Sequence, residues 1–193
     1  MADTLDEALV RAARKSVRYI SKTLQPTLRA ILVGQMRNER SVMVFQLKSP
    51  AFGNAEPIPR KYTADGENLS PPLEWSDPPP GTKSFALIVE DPDAPSGVFR
   101  HWGIYNIMPA RQQLPEGIGG QKMEGLGAAI NDFGEPRYGG PAPPKGHRTH
   151  HYRFRLAALD VETLSPNMKV ADLWKNAEKH KIGEAELVGT YAR

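Results

Sequence analysis

The distribution of glycine and proline constrains this chain more than any other feature of its sequence. Seventeen glycines and eighteen prolines exceed the roughly 12% that the two residues occupy in average proteins, and they fall in clusters without a strict period. Proline removes a backbone donor and clashes inside a helix, and glycine weakens one, so the excess argues against a helix bundle. The missing period excludes collagen. What these clusters favour is a loop-rich β architecture.

The first 40 residues are the exception. No Gly or Pro occurs between Thr4 and Leu24, and Leu5, Leu9, Ala12, Ser16 or Val17, Ile20 and Leu24 recur at helical spacing, which predicts an amphipathic helix over residues 4–24. Thr4 with Glu7 three residues later forms a capping-box pattern, and Pro26 ends or kinks the helix before a second short one over residues 27–37. The segment holds 8 Lys/Arg against 4 Asp/Glu, whereas the remainder holds 17 against 18. A body so close to neutrality lacks the broad basic footprint of nonspecific nucleic-acid binding, and no nucleic-acid partner is expected. The apolar stripe of the helix either packs on the body of the protein or pairs with a second copy to form a homodimer. The alternative sets Arg11, Arg14, Lys15, Arg18 and Lys22 against an anionic membrane surface. Packing is the preferred reading, because an unburied stripe is an exposed apolar patch. The chain thus divides into an N-terminal amphipathic helical extension, residues 1–40, and a β domain, residues 41–193.

From residue 41 onward, short β-type runs at 42–47, 85–90, 101–107 and 152–158 alternate with turn residues. A helix is predicted over 171–180 from Leu173, Trp174 and Ala177, and a final strand over 187–191. The fold class read from this pattern is mostly β with peripheral helices. There is no cysteine, so disulfides and thiolate chemistry drop out. No apolar run approaches the roughly 18 residues of a membrane span. Asp3, Asp6 and Glu7 stand where a secretory signal carries basic residues, and a cytoplasmic location is expected.

Three clusters carry chemistry. Asp91-Pro92-Asp93-Ala94-Pro95 follows an apolar run, which sets two carboxylates where a buried strand enters a loop stiffened by proline. His101-Trp102 opens the next strand-like run. Tyr138-Gly139-Gly140-Pro141-Ala142-Pro143-Pro144-Lys145-Gly146 precedes His150-His151-Tyr152, joining a loop through which backbone N–H groups can approach a ligand to a strand rich in donors. Each cluster alone has a structural explanation. Together they supply two Asp, several His, a Tyr and a Gly-rich loop at strand ends, where rigid scaffolds place binding sites.

These three clusters, in this order, resemble the signature of the phosphatidylethanolamine-binding protein family in its bacterial and archaeal, Raf kinase inhibitor-like form. Tyr62 through Asn68, Ser70-Pro71-Pro72-Leu73, Asn131-Asp132-Phe133-Gly134 and Leu187 through Tyr191 extend the resemblance over residues 42–191. The resemblance implies a two-sheet antiparallel β-sandwich with a small anion-binding cavity at one end. Asp91, Asp93, His101, His150 and Tyr152 would line it, with Pro95, Gly140, Pro141 and Ala142 as its walls. Many prokaryotic relatives carry Cys where this chain has Ala64 and Ala142, and His151 stands where Arg is frequent.

Two aspartates facing an anion repel it unless they are paired. If each accepts an N–H from a histidine, the imidazoles are oriented and their pKa raised, so that His101 and His150 would face the ligand as cations. The expected function is binding of a small anion or a phosphate headgroup, with a possible regulatory role toward a signalling-protein partner, as in kinase inhibition. Two other classes stand beside it. One is an enzyme using the Asp/His cleft for general acid/base chemistry, the other an interaction scaffold with a vestigial pocket. No nucleophile motif and no compact metal-ligand motif accompanies the cleft, so no catalytic residue, metal or cofactor is assigned and binding is preferred over catalysis.

Overall fold

The computed structural model describes residues 44–121 and 125–193. The helices predicted over 4–24 and 27–37 and the boundary between residues 40 and 41 lie outside the described residues.

Among the described residues, nine strands and one α-helix follow in chain order: β1 (Gln46–Lys48), β2 (Glu56–Pro57), β3 (Leu73–Ser76), β4 (Ser84–Asp91), β5 (Phe99–Ile107), β6 (Gln113–Leu114), β7 (Gly127–Ala128), β8 (His150–Leu159), α1 (Val170–Glu178) and β9 (Lys181–Tyr191). They form two sheets, a three-stranded one in the order β1-β3-β6 and a six-stranded one in the order β2-β9-β8-β4-β5-β7. All pairs are antiparallel except β2 with β9, which run parallel. The wholly antiparallel expectation is corrected at that one edge, where the chain from β2 returns beside β9 with Ile58 N–H on the Thr190 carbonyl.

The large sheet is covered on both faces, and this explains the texture of its central strand. β4 is buried along its whole length and reads as an unbroken apolar run up to Glu90, as strands buried on both faces do. Phe85, Leu87 and Val89 join Leu47, Leu73 and Trp75 of the small sheet in the main core. Ala86 and Ile88, on the opposite face, pack with Val170, Leu173, Trp174 and Ala177 of α1. The helix sits so close to β5 that a Cβ on Gly103 would lie 2.7 Å from Val170 Cγ2. Trp75, Trp102 and Trp174 are buried, and Trp174 also carries the Arg155 guanidinium 4.2 Å above its ring.

Among the described residues, no helix is long and apolar enough to cross a membrane.

Candidate ligand-binding site

Strand polarity gathers the chemistry at one end of the large sheet. In the antiparallel order, the end of β4 meets the start of β5 at Asp91 and Phe99 and the start of β8 at Glu90 and Arg153. β9 ends there too, with Tyr191 opposite His150. Side chains two apart along a strand share a face. His150 and Tyr152 therefore lie on the face of Phe154, and Asp91 on the face of Val89, both turned toward the main core.

His101 reaches this cluster by an irregularity. Val89 pairs with Trp102 and Glu90 with Arg100, so His101 is the extra residue of a β-bulge. Regular alternation would send it to the face opposite Trp102. The bulge re-aims it, as bulges near functional sites do, and its ring stands 5.2 Å from that of Tyr152, centroid to centroid.

Asp91 and His150 form a buried pair, with His150 Nδ1 donating to Asp91 Oδ2 at 2.7 Å and both side chains almost wholly excluded from solvent. The other Asp91 oxygen accepts the Asp93 N–H at 2.8 Å, so the buried carboxylate is compensated on both sides. On the far side of the ring, His150 Nε2 meets His147 Nδ1 at 2.8 Å.

His101 is held differently from the expectation. Its Nδ1 lies 2.8 Å from the Gly139 carbonyl, which can only accept, so the proton is on Nδ1. Among the described residues no aspartate bonds to the ring. Burial, outweighing the nearby acceptors and the Asp91 charge, lowers its pKa. The cationic His101 of the charge scheme is therefore corrected to a neutral ring, whereas the paired arrangement foreseen for His150 is present.

Tyr152 is fully buried and its hydroxyl has no hydrogen-bond partner among the described residues. Burial first and the Asp91 charge second push its pKa up, and the Ala142 backbone acts in the opposite sense. Asp91 and Ala142 are thus close enough to bias its ionisation, yet neither meets the hydroxyl with hydrogen-bond geometry.

Asp93 belongs to the surrounding loops. Its Oδ2 accepts from His151 N–H at 3.0 Å and His151 Nδ1 at 2.7 Å, and its Oδ1 accepts from Arg148 at 2.8 Å. The His151 hydrogen bond and the Arg148 charge hold its carboxyl below the usual range. Pro95 is exposed in the turn after β4.

The 139–142 loop is fixed by close approach. Gly140 N–H donates to Asn68 Oδ1 at 2.7 Å, and a Cβ on Gly140 would lie 2.6 Å from the Tyr62 carbonyl oxygen. The Pro141 carbonyl accepts the Ala64 N–H at 3.1 Å. A cavity of about 250 Å³ lies beside this loop, lined by Ala64, Asn68, Asn131, Phe133, Glu135, Arg137, Tyr138, Gly139, Gly140 and Ala142. Ala64 and Ala142 thus face one cavity. Asn131 shapes its rim: the side-chain amide donates to the carbonyls of His101 and Arg137, and its oxygen accepts from the N–H groups of Phe133 and Glu135.

The structure therefore brings Asp91, His101, His150 and Tyr152 together, with Gly140, Pro141 and Ala142 in the adjoining loop. His147 lies in the loop that follows Gly146. It is exposed, but its bond to His150 joins it to the cluster. Arg193 was not singled out. It grips Asp65 with contacts at 2.8 Å beside Tyr191, whose hydroxyl donates to the same carboxylate at 2.9 Å.

Known proteins share this arrangement of sequence and fold. A family model described as phosphatidylethanolamine-binding protein matches residues 48–192. A UPF0098 protein of Methanothermobacter thermautotrophicus is 47% identical over 150 residues, 76% of this chain and 98% of the relative. One from Pyrococcus horikoshii is 42% identical over 183 residues, 90% of this chain and 91% of the relative, so that similarity reaches upstream of Val44. Among solved structures, E. coli YbcL, described as a new member of the mammalian PEBP family, superposes with a TM-score of 0.74 at 36% identity, covering 77% of this chain and 98% of YbcL. A putative homolog from Chlamydia trachomatis gives 0.71 at 38% identity, covering 78% and 99%.

Proposed function

Because the chain belongs to the phosphatidylethanolamine-binding protein family, we propose that it is a ligand-binding protein whose buried cluster takes a small anion of the phosphate type. In this reading the three- and six-stranded sheets are the layers of a sandwich, and the ligand enters at the end where Asp91, His101, His150 and Tyr152 meet.

The observation that carries the reading is the Tyr152 hydroxyl, a buried donor without an acceptor. A buried polar group left unpaired costs about 1–3 kcal/mol, and an incoming oxyanion supplies the missing acceptor. The objection that carboxylates repel an anion is answered by their pairing, Asp91 with His150 and Asp93 with His151 and Arg148. The neutral His101, protonated on Nδ1, offers an accepting Nε2. That pattern suits hydrogen phosphate or a phosphate monoester, which brings acceptor oxygens for Tyr152 and a P–OH for His101. Acetate brings only acceptors.

Calorimetric titration with inorganic phosphate, phosphoethanolamine and acetate tests the reading. Phosphate-bearing ligands are expected to bind more tightly than acetate, and Tyr152→Phe to weaken phosphate about tenfold, the worth of one hydrogen bond to a charged group. Equal affinity of the wild type and Tyr152→Phe for phosphate would count against this site. His150→Ala is a poorer probe, because removing one partner of a buried pair leaves Asp91 uncompensated and costs about 3–5 kcal/mol in stability.

A further inference from the structure

The nitrogen that His150 can offer a ligand is already occupied. Its Nδ1 is committed to Asp91 at 2.7 Å, which leaves Nε2, and Nε2 is bonded to His147 Nδ1 at 2.8 Å. Two imidazole nitrogens at that distance share a single proton, because opposed N–H groups or opposed lone pairs repel. With Asp91 holding the Nδ1 proton, a neutral His150 accepts at Nε2 from His147. In that state Nε2 is no donor to an anion.

We propose that His147 is a built-in gate on the site, exchanging with the anion for Nε2 of His150. The proposal rests on the anion reading above. On opening, the shared proton passes from His147 Nδ1 to His150 Nε2, which donates it to the ligand oxygen, while the exposed His147 ring swings outward and takes one proton from the solvent, so that each ligand bound is accompanied by the uptake of one proton. The other charged groups tied to this loop are Asp93 with Arg148 and His151, and Arg193 with Asp65.

The loop that carries His147 holds its backbone in place and leaves the side chain exposed. Gly146 has φ of +74°, a left-handed conformation that glycine adopts without strain, and it directly precedes the gate. The loop is tethered on both sides of that point. Gly146 N–H donates to the Arg193 carbonyl at 3.3 Å, and Arg148 bonds to Asp93. The His147 side chain can therefore leave while its backbone stays anchored. This also gives Asp93 a role outside the cavity, as a latch on the loop.

The experiment uses full-length protein labelled with 15N at histidine. Scalar coupling across an N–H···N hydrogen bond reports the closed gate, and phosphate affinity is measured in parallel for the wild type, His147→Ala and His147→Gln. The gate predicts that the coupling between His150 Nε2 and His147 Nδ1 is present in the free protein and lost on phosphate binding. It predicts that His147→Ala binds phosphate about tenfold more tightly, one competing hydrogen bond having gone. His147→Gln, whose amide can donate to Nε2, returns affinity toward wild type. Phosphate binding only to His147→Ala also supports the gate, as one that is locked in the wild type. If phosphate binds the wild type while the coupling persists and His147→Ala leaves affinity unchanged, the gate is wrong and the anion reading stands. Absence of binding to both proteins overturns the two together.

Discussion

Tyr152 carries a hydroxyl into the core where Phe would fit without an unmatched polar atom. Removing that oxygen is therefore expected to leave the fold as stable or raise its stability by about 1 kcal/mol, even as it weakens phosphate. Chemical denaturation of Tyr152→Phe checks this, and a clear loss of stability would mean that the hydroxyl has an acceptor in the ligand-free protein. His101 makes a second residue-scale prediction, through pH. Its folded pKa lies below the ordinary value of 6.5 because of burial, so the unfolded chain binds the proton more readily than the native one. The stability that comes from keeping His101 neutral is complete above about pH 6.5 and is lost as pH falls through and below that value. Denaturation midpoints at pH 7 and pH 5 are expected to differ less for His101→Gln than for the wild type. Phosphate binding that draws a proton onto this ring strengthens over the same descent in pH.

At the scale of elements, the rim segment around Asn131 depends on one side chain. Its amide satisfies two carbonyls and two N–H groups across the segment from His101 to Arg137. Asn131→Ala leaves several of these unpaired, and a loss of about 2–3 kcal/mol is expected, with faster amide exchange at Phe133 and Glu135. Unchanged exchange at those two positions would show that the rim holds without it. Elements were legible where one physical signal dominated. The runs behind β4, β5 and β8 stood out because both faces of the central sheet are buried, and only their ends moved. The final strand was seen from Leu187 onward, but β9 begins at Lys181. Its first half reads as polar because Glu184 and Glu186 pair across the sheet with Arg155 and Arg153. β3, bounded by Pro72 and Asp77, and the two-residue strands β2, β6 and β7 are too short for a period to register. Within the site, Asp91, His150 and Tyr152 could be read because strand ends place them. The bulge that turns His101, the His147 contact and the Arg193 clamp depend on register and loop conformation, for which the sequence carries no periodic signal.

For the whole molecule, the architecture separates support from chemistry. α1 covers one face of the large sheet and the small sheet shares the core on the other, so the strands that end at Asp91, His150 and Tyr152 are held along their length by burial. The cluster at their ends is pre-organised by hydrogen bonds to the backbone and to paired charges, which lowers the ordering cost of binding. The proposed function has this end of the sheet receiving a phosphate-type anion. Its most direct test is an NMR titration of the full-length protein with inorganic phosphate, following backbone amides and histidine side chains together. Saturable shifts concentrated at Ala142, His101, His150 and Tyr152 are expected, and in Tyr152→Phe the same shifts require about tenfold more phosphate. Saturable shifts centred elsewhere, or none at this end of the sheet, would contradict it.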